Sequence, residues 1–201
     1  MPAHSSPNNQ RLRLSIAQEA ARILAEEGTR DYHAAKLKAA ERLGIIERGH
    51  LPKNSEIESA LITHQRLFKT DVQPHELLLI RQTSLQLMDL FACYAPRIVG
   101  PVLRGTADRH SVIELHLFSD VPEEVAIFLM EQRIPYQTSE RRWQIGGQIC
   151  SYPAFRFHSG DYATELTVFP IDGCRQAPRC PVEQRPMQRA SRDKLAELLD
   201  T

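Results

Sequence analysis

The chain has 201 residues, 42% hydrophobic and 25% charged, with 25 Lys and Arg balanced by 25 Asp and Glu. That length and apolar content suit one compact domain, or a small domain with a helical extension. Zero net charge excludes bulk electrostatic binding to a nucleic-acid backbone or an anionic membrane, and leaves room only for a local basic patch.

Residues 1–10 are polar and rich in Ser, Asn and Pro, and are expected to be disordered. They carry no apolar stretch of a secretory signal. No apolar run approaches the roughly 18 residues that span a bilayer, so no membrane partner is expected. Cys93, Cys150, Cys174 and Cys180 form no C-x-x-C pair. Free thiols in a reducing cytoplasm are expected.

The region 11–96 reads as helical, with about four helices. Arg11 to about Glu27 places Leu14, Ala17, Ala21, Ile23 and Leu24 at helical spacing, and Gly28 ends it. A second helix runs from Asp31, a natural N-cap, through Tyr32, Ala35, Ala39 and Leu43 to Gly44. Asn54 or Ser55 caps a third, with Ile57, Ala60, Leu61, His64 and Leu67 inward. The fourth starts near Pro74, carries Leu77, Ile80, Ser84, Leu87, Met88 and Phe91 on one stripe, and stops at Pro96.

From Arg97 the pattern turns to strands. Ile98–Leu103 and Ser111–Phe118 read as two strands joined by a turn at Gly105-Thr106. The second places Ile113, Leu115 and Leu117 on one face and Glu114 and His116 on the other. Asp120 and Glu123 have capping-box spacing around Pro122 and open a helix that buries Val121, Val125, Phe128 and Leu129. Gly146-Gly147 joins a hairpin of Tyr136–Ile145 and Gln148–Phe157, and Gly160-Asp161 leads into Tyr162–Phe169. Pro153 marks an edge or a bulge. The tail 171–201 is rich in Pro and Arg and ends in a short helix over Ser191–Leu199. The fold class expected is α+β: a helical half followed by a mixed or antiparallel sheet with one packed helix.

The segment Gly105-Thr106, a polar turn and Ser111-Val112-Ile113-Glu114-Leu115 resembles the signature of the nucleotidyltransferase superfamily, the DNA-polymerase-beta-like fold. The likeness covers about Ile98 to Phe169. In that family a Gly-Ser or Gly-Gly turn precedes a strand bearing Asp-x-Asp or Asp-x-Glu, and a later strand adds a third carboxylate. The chemistry explains the pattern, because two carboxylates two residues apart on a strand point the same way and hold a pair of divalent ions. The resemblance implies Glu114 and Glu165 as catalytic and metal-binding residues, Gly105, Thr106 and Ser111 as nucleotide contacts, and Mg as the metal. Val112 stands where the first metal-ligand Asp belongs, which counts against catalysis.

Three functions are therefore weighed. One is a metal-dependent nucleotidyltransferase, and another is a non-catalytic regulatory or interaction module of the same fold. The third is a nucleic-acid-binding protein using Lys36, Lys38 and Arg42 and the basic tail, although Glu41 interleaves. Each candidate also has an ordinary reading. Gly105-Thr106 suits a plain turn, Glu114 and Glu165 a polar sheet face, His116 a hydrogen-bonded surface or half-buried histidine, and Arg104, Arg109 and His110 a solvated loop.

Overall fold

The computed structural model describes residues 7–27, 31–45, 50–68 and 72–199. Among them the fold is α+β, with seven α-helices and a five-stranded mixed sheet. The chain divides into two compact units, residues 1–71 with 181–183, and residues 72–180 with 184–201. The division falls between the third and fourth helices, because the fourth helix buries its stripe in the core of the sheet.

The first unit holds α1 (Pro7–Glu27), α2 (Tyr32–Arg42) and α3 (Asn54–Phe68). Helix α1 begins at Pro7, so residues 7–10 are helical where disorder was expected. Proline suits a first helical position because its missing N–H would have no partner there. Residues 1–6 and Gly28 lie outside the described residues. The core joins Ile16, Ala20 and Ile23 of α1 to Ala35 and Ala39 of α2 and Ile57 of α3. Its many alanines let the helices approach closely. Asp31 caps α2 as expected, its Oδ1 accepting from His33 N and Ala34 N, each at 2.9 Å. Leu67, placed inward by periodicity, is 68% exposed, and Leu14, set at helical spacing in α1, is 58% exposed. Glu58 and Gln65 are buried instead, and Tyr32 donates its hydroxyl to the Glu58 carboxylate.

The second unit opens with α4 (Val72–Leu90) and a 3-10 turn over Ala92–Tyr94. Then come β1 (Arg97–Val99), α5 (Gly100–Arg104), β2 (Ile113–Phe118) and α6 (Pro122–Glu131). The strands β3 (Gln137–Ile145), β4 (Gln148–Ser159) and β5 (Tyr162–Phe169) follow, and the tail ends in α7 (Arg192–Glu197). The sheet order is β1-β2-β5-β4-β3, antiparallel except for the parallel pair β2–β5.

One face of the sheet is apolar. Ile98, Ile113, Leu115, Leu117, Phe155, Phe157, Leu166 and Val168 pack with Ile80, Leu87, Met88 and Phe91, with Val125 and Leu129 of α6, and with Leu195 of α7. Both turns expected from glycine are present. Gly146 and Gly147 sit at φ +58 and +86 between Ile145 and Gln148, the left-handed pair that a two-residue hairpin requires. Pro153 pairs only with β3, because β4 meets β5 from Ala154 onward. It therefore lies where one side of its strand is an edge.

Two local expectations are corrected. The strand expected over Ile98–Leu103 stops at Val99. Gly100 takes φ +69 and Pro101 opens a helical turn that Gly105 closes at φ +81. Asp120 does not cap α6, whose N-cap is Val121 without a side-chain bond. Ser119 Oγ accepts from Val121 N at 3.1 Å, and Asp120 Oδ1 accepts instead from Ile171 N at 3.0 Å. Val121 is correspondingly 47% exposed.

Candidate functional site

Strand alternation sends Glu114, His116 and Phe118 of β2 to the face opposite the core, with Glu165, Thr167 and Phe169 of β5 beside them. Register pairs Glu114 with Glu165, on neighbouring strands about 4.8 Å apart. The two carboxylate-bearing residues expected to act together are thus adjacent on one face. Gly100 makes room for the first of them, since a Cβ there would lie 2.5 Å from Glu114 Oε2. Gly100 and not Gly105 is the glycine against this carboxylate. A Cβ on Gly105 would meet Arg81 Nη2 and Leu77 of α4, at 3.7 and 3.9 Å.

Thr106 and Ser111 are buried and bonded within their own loop. Thr106 N donates to Pro101 O at 3.0 Å. Ser111 Oγ accepts from Asp108 N at 2.7 Å, and Ser111 N donates to Asp108 O at 2.9 Å. Asp108 Oδ1 also accepts from His110 N at 3.0 Å, and Arg109 Nε reaches His110 Nε2 at 3.0 Å. This compact turn explains Gly105, Thr106 and Ser111 by backbone geometry. Val112 precedes β2 and offers no ligand atom.

Glu165 is 4% exposed and both of its oxygens are engaged. Arg141 Nε of β3 lies 2.5 Å from Oε1, and Arg156 Nε of β4 lies 2.9 Å from Oε2. Arg156 is the cross-strand partner of Glu165 in the antiparallel β4–β5 pair. Both arginine side chains remain about half exposed, at 47% and 54%. Among the described residues no group of three or more His, Cys, Asp or Glu could hold a metal ion. With one carboxylate committed to two guanidinium groups and Val112 in place of a ligand, the donor set does not fit a two-metal centre.

The other end of the face is built on rings around the Arg189 guanidinium. Arg189 lies over Phe118 and Phe169, 5.1 and 4.8 Å from their centroids, and donates from Nε to His116 Nδ1 at 2.9 Å and from Nη1 to Gly173 O at 2.7 Å. Burial pulls its guanidinium down to about 10, so it remains charged at neutral pH. His116 packs against Trp143 and Phe169, with ring centroids 5.3 and 4.6 Å away. It is buried, not solvent-facing. Burial first, and Arg189 second, hold its imidazole well below the usual histidine range. Accepting at Nδ1 places the proton of the neutral ring on Nε2.

A cleft of about 560 Å³ opens beyond the carboxyl ends of β2 and β5, lined by Asp120, Pro170, Ile171, Asp172 and Arg175. None of the residues expected at the site lines it. The basic residues of α2 are likewise committed. Lys36 Nζ bonds Pro52 O at 2.9 Å, Lys38 pairs with Glu27 at 2.7 Å, and Arg42 pairs with Glu19 and Glu27 at 3.0 and 3.3 Å. No helix among the described residues is long and apolar enough to cross a membrane.

Sequence reasoning missed Gly100, Arg141, Arg156 and Arg189. Comparison with known proteins finds no matching family model, no matching curated protein and no matching solved structure.

Proposed function

We propose that this protein is a nucleotidyltransferase-like module that binds a phosphate-bearing ligand, most simply a nucleotide, through guanidinium groups and without catalysis. The observation that carries this reading is the pair of arginines on Glu165. They supply, beside Glu114, the positive charge that an active relative would take from metal ions. Each guanidinium offers five donors, of which only Nε faces the carboxylate. The Nη groups of Arg141 and Arg156 are left for phosphate oxygens, which arginine holds in bidentate fashion. The missing first carboxylate at Val112 removes the means of activating an attacking oxygen.

Titration calorimetry with ATP, with magnesium and with EDTA, tests this. Binding is expected to persist in EDTA, to weaken about ten-fold or more in Arg141→Ala and Arg156→Ala, and to survive Glu114→Ala. No pyrophosphate is expected to be released. Binding that requires magnesium and disappears in Glu114→Ala would establish the metal-dependent enzyme instead. No binding at millimolar ATP would remove both readings.

A further inference from the structure

The two edges of the sheet are closed to different degrees. At β1 the tail pairs with the outer side, Ile98 N donating to Ala190 O and Ala190 N to Ile98 O, each at 3.0 Å. At the opposite edge lies β3, a nine-residue strand exposed along nearly all its length. Its outward backbone groups can be assigned. Gln144 O points away from β4, because it accepts from Arg179 N at 2.8 Å. Alternation then turns the N–H and C=O of Thr138, Glu140 and Arg142 outward as well. Among the described residues no backbone partner faces these three.

The side chains along this edge select what can pair with it. Glu140, Arg141 and Arg142 are consecutive. Charges at an edge normally repel a passing strand. This run, however, is complementary to itself when reversed. An antiparallel two-fold placed at Arg141 sets Glu140 of one chain directly opposite Arg142 of the other, twice. Each such hydrogen-bonded pair exchanges two backbone bonds, and both Glu–Arg contacts lie on one face. A two-fold placed at Glu140 would set that carboxylate against its own copy. Arg141, on the opposite face, is ion-paired with Glu165 of its own chain. The ladder stops at Gln144, whose carbonyl the tail has taken.

We infer that β3 docks on β3 of a second copy of this chain, antiparallel, about a two-fold axis at Arg141, in a register fixed by reciprocal Glu140–Arg142 pairs. The dimer is a concentration-dependent one, since the edge offers four backbone bonds and two ion pairs.

Sedimentation velocity of the full chain over a micromolar-to-millimolar range tests this, with circular dichroism melts confirming that each variant folds. The parent is expected to pass from monomer to dimer. Glu140→Arg and Arg142→Glu each replace two attractive contacts by two repulsive ones, and each alone is expected to weaken association about ten-fold or more. An equimolar mixture of the two variants restores opposite charges at every contact and is expected to restore the dimer. The inference is overturned by a parent that stays monomeric throughout, by a dimer indifferent to both variants, or by a mixture that stays monomeric.

Discussion

His116 shows how much one residue on the polar face depends on its surroundings. It accepts from Arg189, touches two aromatic rings and is almost wholly buried. Its Nε2, with Arg189 Nη2 and Trp143 Nε1, finds no hydrogen-bond partner among the described residues. Protonation would place a second positive charge beside the Arg189 guanidinium, and Arg97 adds a third nearby. The folded pKa is depressed, so the unfolded chain takes up the proton first, near the ordinary histidine value of about 6.5. The contribution of neutral His116 is therefore complete above that pH and is lost as pH falls below it. The urea midpoint is expected to drop between pH 7 and pH 5, and His116→Gln should flatten that slope. An unchanged slope in the variant would assign the dependence to other groups.

Among elements, α2 and α6 make a matched comparison, because each is preceded by an aspartate and only one is capped by it. Asp31 satisfies two of the donors that open α2. Asp31→Ala is expected to cost about 1 kcal/mol of stability. Chemical unfolding followed by helical circular dichroism measures that cost. A loss within error of zero would mean that solvent replaces the cap fully.

The same elements show what was legible in sequence. Turns are local, so Gly146-Gly147 and Gly160-Asp161 declared both hairpins, and the registers follow by counting. Arg156 opposite Glu165 could have been found in that way, from Ser159 paired with Tyr162. The extent of β1 was not local. Ile98-Val99 begins a strand, and the Gly100-Pro101 pair behind it was the signal that a helical turn replaces its continuation. The helix faces that put Leu14 and Leu67 outward were decided by neighbours that periodicity does not contain. The adjacency of Glu114 and Glu165 depends on a parallel pairing between distant strands, and no short pattern announces that.

For the molecule as a whole, two separate hydrophobic clusters imply two cooperative units, one over α1–α3 and one around the sheet. Ile57 and Leu166 are both fully buried, each in its own cluster. Ile57→Ala and Leu166→Ala are each expected to cost about 2–5 kcal/mol. Trp143 is the sole tryptophan and lies on β3, so its fluorescence reports the sheet, whereas circular dichroism reports both units. Leu166→Ala should shift the fluorescence transition and Ile57→Ala should leave it in place. Equal shifts from the two variants would show a single cooperative unit.

The parallel contact between β2 and β5 also sets an order of assembly. Roughly fifty residues, including α6 and the β3–β4 hairpin, separate Glu114 from Glu165. Closing so long a loop is entropically costly and brings no reward until the ends meet. The hairpins, whose contacts are nearby in the chain, can form early, while the carboxylate pair has to wait for the last central strand to slot in. A nascent chain still lacking residues 162–169 would have both flanking arginines and no acid to receive them.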